Sequence, residues 1–205
     1  MRFEAVVFDF DGTLIQSADA KRDAFFQLFP DEPRYREVVA GVLDEDPDGS
    51  RHDVIPRMIE RLSERALDLP VGHNETDRIG AYAQAVFAAQ AASDECPKAG
   101  EILEALHGRC ALYVSSNTPE VDLVTLVGRR GWNRFFDGIF GHPRDKIGTL
   151  AEIVRKHGGD PARVAVVGDG ESDEQAAAAI GCPFFRICGP QALTGIAERL
   201  EAAHV

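Results

Sequence analysis

Positive charge is scarce in this chain: 22 Lys and Arg stand against 34 Asp and Glu, a formal net charge of -12. Such a field repels nucleic acid and anionic membrane surfaces, so neither is expected as a partner. An anionic substrate would need a metal ion or local cations to reverse the field at its site. Long apolar runs are missing as well; none comes near the roughly 18 residues of a membrane span. Met1-Arg2-Phe3-Glu4 leads straight into an apolar run that carries chemistry, so no cleaved leader is expected. The four cysteines, Cys96, Cys110, Cys182 and Cys188, show no metal-ligand spacing. They are expected as buried, reduced thiols of a cytoplasmic protein. Repeats and low-complexity segments are absent. What remains is a globular composition, 44% hydrophobic and 27% charged. With 205 residues it has material for one good core plus a small satellite domain.

Short apolar runs alternate with longer amphipathic stretches, the pattern of a parallel sheet covered by helices. Ala5-Val6-Val7-Phe8 is apolar throughout, as a strand buried on both faces requires. Cys110 to Val114, Phe135 to Phe140, Val164 to Val167 and Phe184 to Ile187 are the comparable runs. Helical patterns are expected at about 119–130, 145–157, 172–180 and 190–202, stopped by Gly131, Gly158-Gly159 and Gly181. Pro97 and Pro119 are expected in first helical turns. Residues 17–93 differ: they hold no convincing strand and read as several helices with an acidic break at Asp44-Glu45-Asp46-Pro47-Asp48-Gly49. That is too much for a crossover. The expectation is an α/β core from residues 1–16 and 94–205 with an inserted helical domain. Phe25, Phe26, Phe29 and Trp132 read as core aromatics.

Four polar clusters fall at the ends of expected strands, where open parallel sheets place their sites. In Asp9-Phe10-Asp11-Gly12-Thr13 two carboxylates crowd a buried strand end, which a divalent cation or a retained proton would relieve. An Asp-Gly turn is the plain alternative. Ser115-Ser116-Asn117-Thr118-Pro119 offers a phosphate cradle before a helix, or simply an N-cap. Lys146 lies near a helix start, where a cation is disfavoured unless an anion meets it; Arg144 competes for that role. In Asp169-Gly170-Glu171-Ser172-Asp173 three acidic groups supply hard oxygen ligands of the kind Mg²⁺ takes.

These four clusters, spanning residues 9 to 173, resemble the ordered motifs of the haloacid dehalogenase superfamily. The resemblance implies a doubly wound, Rossmann-like parallel-sheet core with an α-helical cap at 17–93. It implies that Asp9 is a nucleophile forming an aspartyl-phosphate and that Asp11 is the general acid and base. Gly12, Ser116, Asn117 and Lys146 would contact the phosphoryl group. Mg²⁺ would be held by the Asp9 carboxylate, the Asp11 carbonyl and Asp169, with Asp173 close by. Dehalogenases and phosphonate-cleaving members lack an aspartate at the Asp11 position, and Lys21 is the one lysine within 17–93 that could form a Schiff base. Gly49-Ser50-Arg51-His52-Asp53 is similar to the substrate-facing cap loop of phosphoglycolate phosphatase and β-phosphoglucomutase, which makes Arg51 a candidate substrate contact. Where the mutases carry a histidine in the first cap helix, this chain has Lys21 or Arg22. The implied activity is Mg²⁺-dependent hydrolysis of a small phosphorylated metabolite, phosphoglycolate-like or a sugar phosphate. A sugar-phosphate mutase is the alternative. A silent phosphoprotein-binding relic is disfavoured by the presence of Asp9, Asp11, Lys146 and Asp169. No feature indicates an oligomeric state.

Overall fold

In the computed structural model, which describes residues 3–46, 50–69 and 74–203, Ala5-Val6-Val7-Phe8 forms strand β1 (Ala5–Phe8), every residue buried. Four helices follow: α1 (Ala20–Phe26), α2 (Pro33–Glu45), α3 (Arg51–Glu64) and α4 (Glu75–Ala92). The chain continues through α5 (Ala99–Leu106), β2 (Ala111–Pro119), α6 (Glu120–Arg129), β3 (Gly138–His142) and α7 (Lys146–Lys156). It ends with β4 (Val164–Gly168), α8 (Glu171–Ile180), β5 (Phe184–Arg186) and α9 (Ile196–Ala202). Two compact units result, Asp19–Ala92 and Met1–Ala18 with Ser93–Val205.

The larger unit is a five-stranded parallel sheet in the order β3-β2-β1-β4-β5. The chain winds outward on one side of β1, returns, and winds outward on the other, so β1 and β4 flank the point where the direction reverses. Crevices form there, at the carboxyl ends of the strands. Ala5 pairs with Ala111 and Val164, and Phe8 with Val114 and Val167, so the three strands start level, and β2 runs on to Pro119 beyond the end of β1. Alternation sends Ala5, Val7, Val164 and Val166 to one face, against Leu150 and Ile153 of α7 and Ala176 and Ala177 of α8. Val6, Phe8, Leu112 and Val114 point to the opposite face and are equally shut off from water.

The helical unit has its own core, with Phe25, Phe29, Val38, Val42, Ile55 and Met58 among its members. Phe25 and Tyr82 pack with ring centroids 4.3 Å apart. The expected acidic break overlaps the end of α2: Asp44 and Glu45 are its last residues, Asp46 leaves the helix, and α3 begins at Arg51. The acidic charges are met by Arg22 on Asp44 and by Arg57 and Arg61 on Glu45. Pro47-Asp48-Gly49 lies outside the described residues.

Other expectations are corrected by local chemistry. β3 begins at Gly138, not Phe135, because Trp132–Arg134 wind into a 3-10 turn that Phe135 closes by donating to the Trp132 carbonyl at 2.9 Å. The helix expected over 190–202 is split into a turn at Pro190–Leu193 and α9, with Gly195 left-handed at φ 86 between them. Pro97 and Pro119 stand just before their helices rather than within the first turn. All four cysteines are free, and Cys96 and Cys182 are buried. Cys110 is only half-buried because it precedes β2, and Cys188 is exposed because it lies beyond β5. Among the described residues no helix is long and apolar enough to cross a membrane.

Leu112 is fully buried at the middle of this sheet. Leu112→Ala removes its methyl groups and leaves a cavity, at a cost of about 2–5 kcal/mol. Urea unfolding of the two proteins should show the midpoint displaced with the slope unchanged.

Candidate active site

β1 delivers Asp9, whose amide donates to the Val167 carbonyl at 2.9 Å and so extends the β1–β4 pairing by one residue. The chain then turns sharply at Gly12, φ +76. A Cβ at this position would stand 2.2 Å from Asp169 Oδ2, so both the turn and the approach of β4 require glycine. Thr13, buried, donates its hydroxyl to Asp169 Oδ1 at 3.0 Å and ties the two loops together. On β4 Gly168 does a similar service: a Cβ there would meet Asp173 Cγ at 2.5 Å. That space lets Asp173, in the first turn of α8, fold under the strand end with only 3% exposure.

Lys146 is the first residue of α7, whose N-cap Asp145 accepts from the Gly148 amide at 2.7 Å. Its ammonium donates to Asp9 Oδ1 at 2.8 Å and to Asp173 Oδ1 at 2.6 Å, with all three side chains nearly closed to solvent. Asp9, Asp169 and Asp173 each offer a carboxylate oxygen within 4.8 Å of the others. Beneath them lies a small recess walled by Val7, Leu150, Val166 and Ala176, with Ser115 at its edge. Asp11 sits beside this cluster in the sequence but is held separately. Ser17 Oγ donates to its Oδ1 at 2.5 Å and Thr118 Oγ1 to its Oδ2 at 2.8 Å.

Of the residues expected from the sequence, Asp9, Lys146, Asp169 and Asp173 are thus brought together, with Gly12 against Asp169. Ser116 is buried and its hydroxyl oxygen accepts the Thr118 amide at 3.1 Å; Asn117 is exposed. Arg144 does not share the role of Lys146: it pairs with Glu120 and Glu152 on the surface and lies over the Phe140 ring. Glu171 is exposed and accepts from Gln175. Arg51 and Lys21 belong to the helical unit, in α3 and α1. Sequence reasoning missed Thr13, Ser17 and Thr118. Each is a buried hydroxyl in or beside a motif, a residue type whose partner no spacing rule reveals.

Residues 3–181 match the family model of haloacid dehalogenase-like hydrolases. The chain belongs to this family. A search of curated proteins finds no match. Among solved structures, a predicted phosphoglycolate phosphatase from Haemophilus somnus 129pt is 19% identical, covering 98% of this chain and 99% of its own at TM-score 0.68. A provisionally assigned β-phosphoglucomutase from Thermotoga maritima is 17% identical, with 98% and 100% covered and TM-score 0.72. A hydrolase of the family from Bacillus subtilis, bound to magnesium, is 15% identical, with 91% and 87% covered and TM-score 0.67. At these identities the likeness is one of fold: a haloacid dehalogenase-like parallel sheet with flanking helices.

In this member of the family, the charges at the site do not balance. One ammonium faces three carboxylates. Burial pushes the Asp9 carboxyl up to about 7; Lys146 works against the rise, and the charge of Asp173 adds to it. Burial raises Asp173 as well, again opposed by Lys146. For Lys146 burial pulls downward, but Asp9 and Asp173 outweigh it and hold the ammonium protonated. Asp173 Oδ2 is buried without a hydrogen-bond partner. An orphaned carboxylate oxygen and a surplus of negative charge on hard oxygen donors fit Mg²⁺, with Asp9, Asp169 and Asp173 as the side chains to hold it.

The raised Asp9 pKa has a stability consequence. Without metal, the folded protein keeps a proton up to about pH 7 that the unfolded chain releases near its ordinary 3.8. More protons are bound folded than unfolded in this window, so Asp9 makes the protein less stable as pH rises through it. In EDTA, wild-type stability measured by urea unfolding should therefore decline relative to Asp9→Asn between about pH 4 and 7. Adding Mg²⁺ at pH 7 should raise the wild-type Tm and raise that of the variant less.

Proposed function

We propose that this haloacid dehalogenase-like hydrolase is a Mg²⁺-dependent phosphatase acting on a small phosphorylated metabolite. The observation that carries the reading is the Lys146 ammonium bridging Asp9 and Asp173, with Asp169 alongside and Asp11 accepting from the hydroxyls of Ser17 and Thr118. This arrangement supplies an oriented anionic nucleophile, a cation beside it and a separate proton carrier.

In the first half-reaction an Asp9 carboxylate oxygen attacks phosphorus, the bond from phosphorus to the ester oxygen breaks, and the Asp11 proton goes to the departing alkoxide. In the second, water attacks the aspartyl-phosphate and gives its proton to Asp11. The bond to Asp9 breaks, and phosphate leaves with the Asp9 carboxylate restored. Lys146 and the Ser116 hydroxyl are assigned to the phosphoryl oxygens, where the charge resides in the transition state. Mg²⁺, held by Asp9, Asp169 and Asp173, would neutralise the carboxylates and polarise the phosphoryl group. Val7, Leu150, Val166 and Ala176 form the apolar part of the recess that Asp9 lines.

The substrate-facing group is assigned to the helical unit as a cap, with Arg51 as a candidate contact. A mutase on the same fold would transfer the phosphoryl group back to its sugar. Helix α1, with the sequence Ala-Lys-Arg-Asp-Ala-Phe-Phe, carries no histidine of the kind expected in the mutases.

Asp9→Asn is expected to reduce phosphate release from para-nitrophenyl phosphate by roughly 10³-fold or more, as the loss of a nucleophile does. Chelation should abolish turnover and Mg²⁺ restore it. Full turnover in either condition would remove the assignment. Given a sugar phosphorylated on its anomeric carbon, the enzyme should release free phosphate; appearance of the isomer phosphorylated on the primary carbon would establish the mutase instead.

A further inference from the structure

We propose that Thr118 is a positioning residue that holds Asp11 and Ser116 in one working arrangement. The inference rests on the reading of Asp11 as the proton carrier. Thr118 is 1% exposed at the end of β2. Its hydroxyl donates to Asp11 Oδ2 at 2.8 Å, and its backbone amide donates to Ser116 Oγ at 3.1 Å. One residue therefore reaches the proton carrier with its side chain and the phosphate-contacting hydroxyl with its main chain. The amide occupies a lone pair of Ser116 Oγ and leaves the Ser116 O–H to donate elsewhere. Ser17, 3% exposed, donates to the other Asp11 oxygen at 2.5 Å, so the carboxylate is gripped at both ends.

Any buried hydroxyl seeks an acceptor, and that alone would explain these contacts. What sets Thr118 apart is that it reaches two groups of the site at once, the Asp11 carboxylate with its side chain and Ser116 Oγ with its amide. A hydroxyl both donates and accepts, so it can stay hydrogen-bonded to a carboxyl group in either form. Threonine adds stiffness, because its branched Cβ restricts χ1 and fixes the direction of the hydroxyl from the strand.

Leaving groups distinguish this role from a purely structural one. The nitrophenolate of para-nitrophenyl phosphate departs with little help from an acid. Phenol is a far weaker acid, with a pKa of about 10 like the tyrosine side chain, and needs the proton. Thr118→Val keeps the backbone amide and the side-chain shape but loses the hydroxyl. The ratio of kcat/KM for phenyl phosphate to that for para-nitrophenyl phosphate should fall about 10-fold or more in this variant, within the span of acid catalysis. Thr118→Ser should restore the ratio, and Asp11→Asn should lower it further. An unchanged ratio in Thr118→Val, or no recovery in Thr118→Ser, overturns the inference. An unchanged ratio in Asp11→Asn removes Asp11 as proton carrier and the inference with it, so the two failures are told apart. If the valine variant does not fold, Thr118→Ala is read on the same two substrates by the same criterion.

Discussion

Two buried carboxylates, a third that is half-buried and one ammonium meet at the end of β1, and the rest of the site is arranged around that imbalance. Lys146 reaches both Asp9 and Asp173, so it lowers the repulsion between two groups that would otherwise repel across a few ångströms. Such a pair adds little net stability, since desolvation consumes most of its attraction; its removal, however, leaves buried charge uncompensated, typically at about 3–5 kcal/mol. The ammonium is held in place by the start of α7, which Asp145 caps. The imbalance that persists, together with the orphaned Asp173 Oδ2, is a standing demand for a second cation.

The fold meets that demand by geometry. Because β1 and β4 are neighbours at the reversal of the winding, Asp9 and Asp169 leave adjacent strands within one residue of the same level. Glycine then removes the bulk that would keep them apart. Gly12 admits Asp169, and Gly168 admits Asp173 beneath its own strand. Each carboxylate would be displaced if the glycine facing it carried a side chain, so the acidic residues of the motifs and the glycines beside them form one device. The β1 and β4 side chains below, Val7 and Val166, complete the dry floor that raises the carboxyl pKa values.

Much of this was legible in the chain. β1 and β4 are unbroken apolar runs buried on both faces, a pattern that scarcely admits another reading. Asp9, Lys146, Asp169 and Asp173 follow from carboxylates crowded at strand ends and a lysine at a helix start. Legibility failed where short-range chemistry overrode apolar pattern. Phe135 is apolar and buried, yet it closes a turn; Gly195 interrupts an otherwise helical stretch. It failed too where two candidates were equivalent in sequence: Arg144 and Lys146 stand two residues apart, and only the direction of the first turn of α7 sends Lys146 inward and Arg144 to Glu120 and Glu152. Thr13, Ser17 and Thr118 were hidden because a hydroxyl carries no charge to mark its partner, and the Thr118–Asp11 contact joins residues 107 positions apart.

In the proposed mechanism, those hydroxyls help to divide the labour between the two aspartates of the first motif. The residues stand two apart on one strand end, and their chemical identity is the same, so any difference between them has to come from their partners. Asp9 meets a fixed positive charge, which favours attack by an anion and disfavours a retained proton once the metal demand is met. The Asp11 carboxylate accepts from the hydroxyls of Ser17 and Thr118. In that proposal a nucleophile and a proton shuttle are built from one side chain used twice. The separation is written in the surroundings, in Lys146 on one side and in Ser17 and Thr118 on the other.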